Sequence, residues 1–557
     1  MDSSPPVEST SSGGRQVLSR PPSCRPPPYP DIIPIELWLL CWSLCSRPQL
    51  RRLSMVCRLF RDICLSLLFE QQTIDSAGLW SSVNRHNWID LLHRMHRAAV
   101  RLNTLCESPH IRLVRSWKFL AYPSIWPRSP TLRDVQNFSL FSSTHSRVLS
   151  AFSSTLSRYH NLQALHLQGL TIDPPFRESL ALLPRLDDLT LSFCDIIARS
   201  GSIFRLTRFS ISGPEIGTES VKHWEPLQIV SPEGVHMLYL HAPHEIKPLI
   251  AGFGYAQFPN LVVLSLALHN PSDVDGFISV LKRCPRLESL AIPQLECTLI
   301  PMLLSYGLHP DTIPLLRDLS GRPEVFPFFA SNRPITAAAI LMAFRGTDME
   351  PAVSTADVLR AFNALLNSST ALVSLSIREF PLSPELLGAI AMSFPQLQKL
   401  SIFLQTLKPT RNYGLHRPRC RTRRSHVDVR YPILRDADAF RSVSEEALSD
   451  AEQDAPPIEL IQAPIKQEIP AYSELHMIFN CISSGNTSLP PDIEIFRVRQ
   501  DEQRSILTQA MQHVAIANLG QLYPRLREVQ MGNVKSLWER DGAVWRNREA
   551  SSCVRVV

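Results

Sequence analysis

A short apolar phrase that keeps returning along the chain constrains the fold more than any other feature of this sequence. In each copy an apolar residue is followed, after two variable positions, by a second apolar residue and, after one more, by a third. Nine copies follow this pattern, and most successive copies begin 20 to 29 residues apart, a period typical of repeat proteins. They are Leu162-Leu165-Leu167, Leu186-Leu189-Leu191, Leu206-Phe209-Ile211, Val235-Leu238-Leu240, Leu261-Leu264-Leu266, Leu287-Leu290-Ile292, Leu372-Leu375-Ile377, Leu397-Leu400-Ile402 and Leu526-Val529-Met531, with a weaker copy at Leu316-Leu319.

The spacing within each phrase predicts a strand. Its second and third apolar residues are two positions apart, so they lie on the same face of an extended segment. Helix-like segments such as 277–281 separate the copies, and a proline such as Pro285 or Pro395 often precedes the next strand. Because the residue before a proline is pushed out of helical geometry, these prolines should end the return helices. Stacked units of this kind would share one continuous apolar core.

Most of residues 109–405 resemble leucine-rich repeats of the irregular kind. The resemblance implies a curved solenoid, or horseshoe, whose strand face holds another protein. The asparagine or cysteine usual after the third apolar residue is present as Cys194, but Leu170, His269 and Leu295 stand at the corresponding positions elsewhere. Backbone groups that this polar ladder normally satisfies must then find other partners. A generic α/β domain with leucine-rich strands is the alternative.

The N-terminal stretch 31–69 contains more apolar surface than so short a helical unit can bury within itself. Pro34 suits a first helical position. Ile35, Leu37, Leu40, Cys41 and Leu44 follow it at helical spacing. A second series has the spacing of one stripe on a single helix. This second series is Leu50, Leu53, Val56, Cys57, Phe60, Ile63, Cys64 and Leu67. We expect another polypeptide to cover the surplus, although a helical hairpin that only closes the core of the following domain is the alternative.

Residues 31–75 resemble the F-box, a three-helix adaptor motif that binds Skp1. The start Ile33-Pro34 with Glu36-Leu37, the centre Leu53-Ser54-x-Val56-Cys57-Arg58-x-Phe60 and the close Leu68-Phe69 carry the resemblance. Two positions depart from the family pattern, since Ile33 replaces a leucine and Gln49 replaces an acidic residue. The residues that the resemblance implies for Skp1 binding are Ile33, Pro34, Leu37, Leu40, Leu50, Leu53, Val56, Cys57 and Phe60.

Together these patterns predict an α/β chain in six segments. They are a disordered tail 1–30, the F-box 31–75, a helical spacer 76–108, the solenoid 109–405, a disordered charged insertion 406–472, and the final repeats with a C-terminal cap 473–557. The insertion is inferred from its blocks of like charge, with basic 417–424 before acidic 445–454. Within it, Lys466 lies in a pattern that resembles a SUMO-acceptor site. Trp538 and Trp545 are expected to seal the end of the repeat core.

Composition and motif searches favour an interaction protein over an enzyme. Hydrophobic residues make up 44% and charged residues 19%, and a net charge of +6 over 557 residues does not point to nucleic acid. The twelve cysteines show no paired framework, which favours reduced thiols in cytosol or nucleus. No apolar run is long enough to span a membrane, and His93-x-x-His96 lacks further metal ligands. We expect no active site and no cofactor.

The two resemblances together imply a substrate-recognition adaptor of a Skp1-cullin-F-box ubiquitin ligase. Skp1, and through it a cullin, would bind the N-terminal helices, while the repeats hold the protein substrate. Two other classes remain open. One is an interaction scaffold that is not coupled to ubiquitination, and the other is a chromatin or nucleic-acid binder that uses the basic cluster 417–424.

Overall fold

The computed structural model describes residues 33–75, 88–120, 146–213, 225–242, 245–341, 355–378, 383–404, 472–486, 488–499, 509–532, 536–548 and 553–555. The fold is mixed α/β, and the chain divides into two compact units, residues 1–287 and 288–557. The predicted tail 1–30 and nearly all of the predicted insertion 406–472, with its basic cluster, its acidic run and Lys466, lie outside the described residues.

The first unit begins with three helices and continues as alternating strands and returns. Its helices are α1 Ile35–Ser43, α2 Arg47–Leu53, α3 Arg58–Glu70, α4 Trp88–Glu107, α5 146–156, α6 Pro174–Ala181, α7 Ile246–Phe253 and α8 Pro271–Leu281. Its strands are β1 Gln71–Asp75, β2 Ser116–Leu120, β3 Ala164–Gln168, β4 Thr171–Ile172, β5 Asp188–Ser192, β6 Asp195–Ile196, β7 Arg208–Ser212, β8 Met237–His241 and β9 Val263–Leu266. A short 3-10 helix, Pro109–Leu113, precedes β2.

The sheet of the first unit is parallel. Strands β1, β2, β3, β5, β7, β8 and β9 each pair with the next, while β4 and β6 form a separate parallel pair. The register aligns the second apolar residue of every phrase, so that one side of the sheet is continuously apolar. The aligned residues are Trp117, Leu165, Leu189, Phe209, Leu238 and Leu264.

The second unit repeats this arrangement. Its helices are α9 Ile300–Ser305, α10 Phe326–Phe329, α11 Thr355–Leu366, α12 Pro384–Ser393, α13 Tyr472–Ser483 and α14 Gln509–Leu522, with 3-10 helices at Cys297–Leu299, Pro310–Thr312 and Pro323–Val325. Its strands are β10 Ser289–Ile292, β11 Asp318–Gly321, β12 Ala337–Leu341, β13 Ser374–Arg378, β14 Lys399–Phe403, β15 Ile495–Arg499, β16 Glu528–Gly532, β17 Leu537–Asp541, β18 Val544–Asn547 and β19 Cys553–Arg555.

Strands β10 to β16 pair in parallel in chain order, and β17 to β19 close the unit as an antiparallel meander on β16. Trp538 on β17 and Trp545 on β18, the two residues expected to seal the repeat core, are fully buried. Two large aromatic side chains thus lie buried in the antiparallel meander that follows β16.

The strand predictions are confirmed. Every one of the nine phrases forms a strand with all three of its apolar side chains buried, and the weaker copy at Leu316-Leu319 forms β11 in the same way. The nine predicted phrases do not include β2, β12 or β15. All three strands obey the same spacing, as Val114-Trp117-Phe119, Ile335-Ala338-Ile340 and Ile493-Phe496-Val498, but the first two have tryptophan and alanine at the central position in place of a leucine-like residue.

Buried arginines donate hydrogen bonds to backbone carbonyl groups of neighbouring returns. Arg177 is 1% exposed and donates to the carbonyl oxygens of Ala198 and Ser202 in the following return and of Gln228 in the return after that. Arg283 and Arg333 do the same with carbonyl groups of the preceding turn. These long side chains cross-link successive returns and satisfy backbone oxygens that would otherwise be buried without a partner.

Candidate interaction site on the N-terminal helices

Local signals explain where the three N-terminal helices begin. Pro34 precedes α1, where its missing amide hydrogen costs no helical bond. At the start of α2, the backbone amide of Ser46 donates to Gln49 Oε1 at 2.7 Å, which completes a capping box. Gln49, the departure from the family's acidic residue, therefore still caps the helix. Cys57 caps α3, since its Sγ accepts from the Phe60 amide at 3.4 Å.

The prediction of a single helix from Leu50 to Leu67 is wrong. The chain leaves helical geometry after Leu53 and re-enters it at Arg58, so α2 and α3 are separate helices joined by a short turn. The apolar spacing continues across the break because Leu53, Phe60 and Ile63 still reach one core. Spacing alone identifies residues that share a core, but it does not detect a cap that divides the helix.

A small aromatic core holds the three helices together. Trp42, Leu50, Ile63 and Cys64 are buried at its centre. Phe60 contacts the rings of both Trp38 and Trp42, with centroid distances of 5.3 and 4.6 Å. Burial raises the pKa of the Cys64 thiol, so this cysteine is a neutral packing residue. The sequence-based reading did not assign Trp38, Leu39 or Trp42 to the core, although Trp38 and Trp42 are four residues apart on a helix.

Helix α1 is apolar on two opposite sides. Residues of an α-helix are about 100° apart, so Trp38, Leu39 and Trp42 form the side that packs on the core. Leu37, Leu40 and Leu44 form the other side, and their side chains are 51, 66 and 87% exposed. The exposed Cys41 belongs to this second side. A surface helix normally has one apolar stripe facing the core and a polar stripe facing water, so the outer stripe of α1 requires an explanation.

The turn between α2 and α3 adds two more exposed apolar side chains. Met55 is 76% exposed and Val56 65%. We call these two residues, together with Leu37, Leu40, Cys41 and Leu44, the outer face of the N-terminal helices. Among the residues that the structure describes, isolated exposed apolar side chains occur elsewhere, but this short segment contributes an unusually dense set of them.

The nine residues predicted to bind Skp1 fall into three groups. Pro34, Leu37, Leu40 and Val56 are exposed, whereas Leu50 is buried in the core. The remaining four, Ile33, Leu53, Cys57 and Phe60, are partly buried. Leu53 and Phe60 pack against the core, so they support the face rather than form it. Leu44 and Met55, which the predicted set omits, are more exposed than Leu40 and Val56 of that set.

The N-terminal helices are joined directly to the first sheet. Helix α3 runs without a break into β1, which pairs in parallel with β2. The Arg115 amide donates to the Glu70 carbonyl at 2.9 Å, and Phe69 stacks on His110 with a centroid distance of 4.9 Å. Helix α4, the predicted spacer, lies between β1 and β2 in sequence and takes the place of a return helix. The N-terminal helices are therefore anchored to the first sheet through β1, and they also present the outer face.

Within the described ranges, no group of three or more metal-ligating side chains is gathered in one place, and no helix is long and apolar enough to cross a membrane. His93 and His96 lie on α4 without further ligands. No protein-family model matches the sequence, and a search of curated proteins finds no match either.

Proposed function

We propose that this chain is the substrate-recognition adaptor of a Skp1-cullin-F-box ubiquitin ligase. In this proposal the N-terminal helices act as an F-box, and their outer face binds Skp1. The strands and returns of the two units form a leucine-rich-repeat solenoid that holds the protein to be ubiquitinated. Catalysis belongs to other subunits of the ligase.

The observation that carries the proposal is the second apolar side of α1. If these helices served only to close the first sheet, Trp38, Leu39 and Trp42 would be accounted for, but the exposed Leu40 and Leu44 would not. Full burial of one leucine side chain is worth roughly 1.5–3 kcal/mol. The leucines of the outer face, with Met55 and Val56, can thus supply the few apolar anchors that dominate a protein interface.

The test is binding of purified Skp1 to the full-length chain and to the double variant Leu40→Glu/Leu44→Glu. Both side chains are mostly exposed, so charges there should leave folding almost unchanged, within about 0.5 kcal/mol per site. Burying two unpaired carboxylates in an interface should weaken binding at least about 100-fold. These positions are better suited to the test than Leu53, because Leu53 packs against the core and a charge there would unfold the helices.

The matched control is Leu182→Glu/Met392→Glu. These residues are 65 and 81% exposed and lie on returns of the first and second units, outside the segment that forms the N-terminal helices. The control should bind Skp1 like the wild type. Equal binding by the wild type and the Leu40→Glu/Leu44→Glu variant, or no Skp1 binding by the wild type, would overturn the proposal.

A footprint on Cys41 gives an independent readout without any substitution. Cys41 is exposed on the outer face, whereas Cys284 is buried, and burial raises the pKa of its thiol to about 12. Iodoacetamide should therefore label Cys41 and spare Cys284 in the free chain, because the thiolate is the reactive form. Bound Skp1 should protect Cys41. Labelling of Cys41 that is unchanged by saturating Skp1 would contradict the assigned face.

Recruitment of a cullin distinguishes the adaptor hypothesis from the scaffold hypothesis. An adaptor should co-purify with Skp1 and a cullin together, and this recruitment should be lost with the Leu40→Glu/Leu44→Glu variant. Skp1 binding without any cullin would instead favour a scaffold that is not coupled to ubiquitin transfer.

A further inference from the structure

Three neighbouring strands of the second unit bring two arginines and a phenylalanine into one row. The register pairs Arg378 on β13 with Phe403 on β14, and Phe403 with Arg499 on β15. The preceding residues of the same strands, Ile377, Ile402 and Val498, are buried in the core. Because successive side chains of a strand point to opposite faces, the Arg378–Phe403–Arg499 row lies on the side of the sheet away from the core.

Both guanidinium groups are held over the same ring. The Cζ atoms of Arg378 and Arg499 lie 5.0 and 5.1 Å from the Phe403 centroid, within the range of cation–π interactions. Arg499 is fixed further, since its Nε donates to Gln530 Oε1 at 2.8 Å. Two long side chains that are flexible on most surfaces are thus ordered in advance, which lowers the entropy lost when they bind a ligand.

The row has an excess of positive charge. Within the described part of the second unit, neither Arg378 nor Arg499 forms an ion pair with a carboxylate, and the nearby Glu528 is bound to Arg497. Burial lowers the pKa of Arg499, and the positive charges of Arg497 and Arg378 lower it further, while the negative charge of Glu528 acts in the opposite direction. Like charges are therefore gathered at this edge without full compensation, which favours an anionic ligand.

The neighbouring row toward the start of these strands leaves room for a main chain. Ser376 and Ser401 stand opposite each other there, Ala339 continues the row on β12, and Arg497, which is bound to Glu528, continues it on β15. The side chains on β12 to β14 are short, so an extended segment can approach these three strands closely beside the arginines. The small residues alone would not specify a ligand, but next to the charged row they define where its backbone can lie.

Spacing indicates how many anionic groups the row can accept. Strands in a sheet are about 4.8 Å apart, so the Cα atoms of Arg378 and Arg499, two strands apart, are separated by about 10 Å. Alternate residues of an extended peptide present their side chains on one face about 6.8 Å apart. Flexible arginine and acidic side chains can bridge the difference, with one carboxylate or phosphate for each guanidinium.

We propose that the Arg378–Phe403–Arg499 row binds an extended peptide segment of a partner protein in which two anionic side chains are separated by one residue. The anions are carboxylates or phosphorylated hydroxyls, which share the same chemistry toward arginine. This inference deepens the proposed function by naming the kind of substrate segment that the repeats hold. It rests on the proposed function only in identifying the bound peptide as part of a substrate. Binding to the row itself requires no Skp1, so the two proposals can fail separately.

The test uses the full-length chain and short fluorescent peptides with the patterns Glu-x-Glu, phosphoserine-x-phosphoserine and Gln-x-Gln, measured by anisotropy. At least one anionic peptide should bind, and the Gln-x-Gln peptide should not. The affinities of the two anionic peptides show whether the row prefers carboxylates or phosphorylated side chains. Binding should weaken strongly in roughly 1 M salt, where the Debye length is about 3 Å. Failure of both anionic peptides to bind would overturn the proposal.

Matched variants locate the binding. Arg378→Gln and Arg499→Gln should each weaken binding about tenfold or more. Arg525→Gln removes the same charge from an exposed arginine that pairs with Asp492, and it should bind like the wild type. Phe403→Leu keeps both charges but removes the ring that orders them, so it should weaken binding while leaving the dependence on salt unchanged. Wild-type affinity in the Arg378→Gln/Arg499→Gln double variant would overturn the proposal.

One more variant tests whether the occupant is the chain's own acidic run. Glu445, Glu446, Asp450, Glu452 and Asp454 are changed together to the corresponding amides. If the anionic peptides bind only this variant and not the wild type, the row belongs to the internal segment and a partner peptide is the wrong occupant. Binding by both proteins with similar affinity supports the partner peptide.

Discussion

The N-terminal helices and the repeat strands are both rich in regularly spaced apolar residues, yet they use them in opposite ways. In the strands, all three apolar side chains of every phrase are buried. In α1, the stripe of Leu37, Leu40 and Leu44 is exposed, and a different set packs inward. The comparison teaches that spacing identifies which residues share a face, whereas the neighbouring elements decide whether that face meets the core or water.

The sharpest test of this contrast is truncation of one leucine in each region. Leu290→Ala on β10 removes a fully buried side chain and should lower the free energy of unfolding by about 3 kcal/mol, through lost burial and the cavity left behind. Leu44→Ala should change it by less than about 0.5 kcal/mol, because that side chain is 87% exposed. Urea unfolding followed by circular dichroism measures both, and similar losses would contradict the assignment of Leu44 to the outer face.

Much of the fold could be predicted because a strand phrase is a local pattern with a direct physical cause. Alternate apolar residues bury one face, and the prolines at positions such as 285 and 395 follow the ends of α8 and α12. The remaining features of the fold depend on contacts between residues that are far apart in the sequence. The side chain of Cys194 donates to the Leu167 carbonyl at 3.4 Å across 27 residues of sequence, and the carbonyl partners of Arg177 lie 21 to 51 residues away, so neither contact leaves a local signal.

The candidate site could be predicted as a region but not residue by residue. The segment 31–69 was singled out by its surplus of apolar residues, and an exposed apolar face is present there. The predicted set mixed Leu50, which is buried, with Leu40, which is exposed. A helix with apolar residues on both sides gives no sequence signal that tells the inner side from the outer one. Only the position of α3 shows which side is covered.

Buried arginines extend the comparison to polar groups within the repeats. Arg177→Met keeps much of the side-chain length but removes the donors to Ala198, Ser202 and Gln228, so these carbonyl oxygens lose their partners. We expect a loss of about 2–3 kcal/mol in the free energy of unfolding. Arg185→Met, on an exposed arginine of the same turn, is the control and should have little effect. Equal unfolding midpoints for both variants would show that the cross-link does not stabilise the returns.

Phe193 is a partly exposed apolar residue of the repeats whose backbone conformation is strained. It follows β5 with a φ of 54° and is 44% exposed, while Gly169, with a φ of 70°, stands at the same position after β3. Because a side chain is strained in the left-handed region, Phe193→Gly should stabilise the chain by about 0.5–1 kcal/mol. Gly169→Ala should destabilise it by a similar amount. A loss of stability on Phe193→Gly, measured by thermal unfolding, would show that packing of the ring outweighs the strain.

The smallest expected effect concerns His241, on the solvent-facing side of β8. Burial lowers its pKa below the ordinary value of 6.5, and its Nε2 lies 2.8 Å from Ser265 Oγ. As the pH falls below 6.5, the unfolded chain takes up this proton first, so the folded state loses stability in that range and regains it as the pH rises. His241→Gln can keep a hydrogen bond to Ser265 but does not titrate, so it should flatten part of the stability profile below the ordinary histidine pKa of 6.5. His166, whose pKa is lowered by burial and by Lys118, should retain its own share of the slope in that variant.

An unchanged slope in His241→Gln would mean that the ring of His241 is as well solvated in the fold as in the unfolded chain. This side of the sheet would then be more open to water than the half-buried ring indicates.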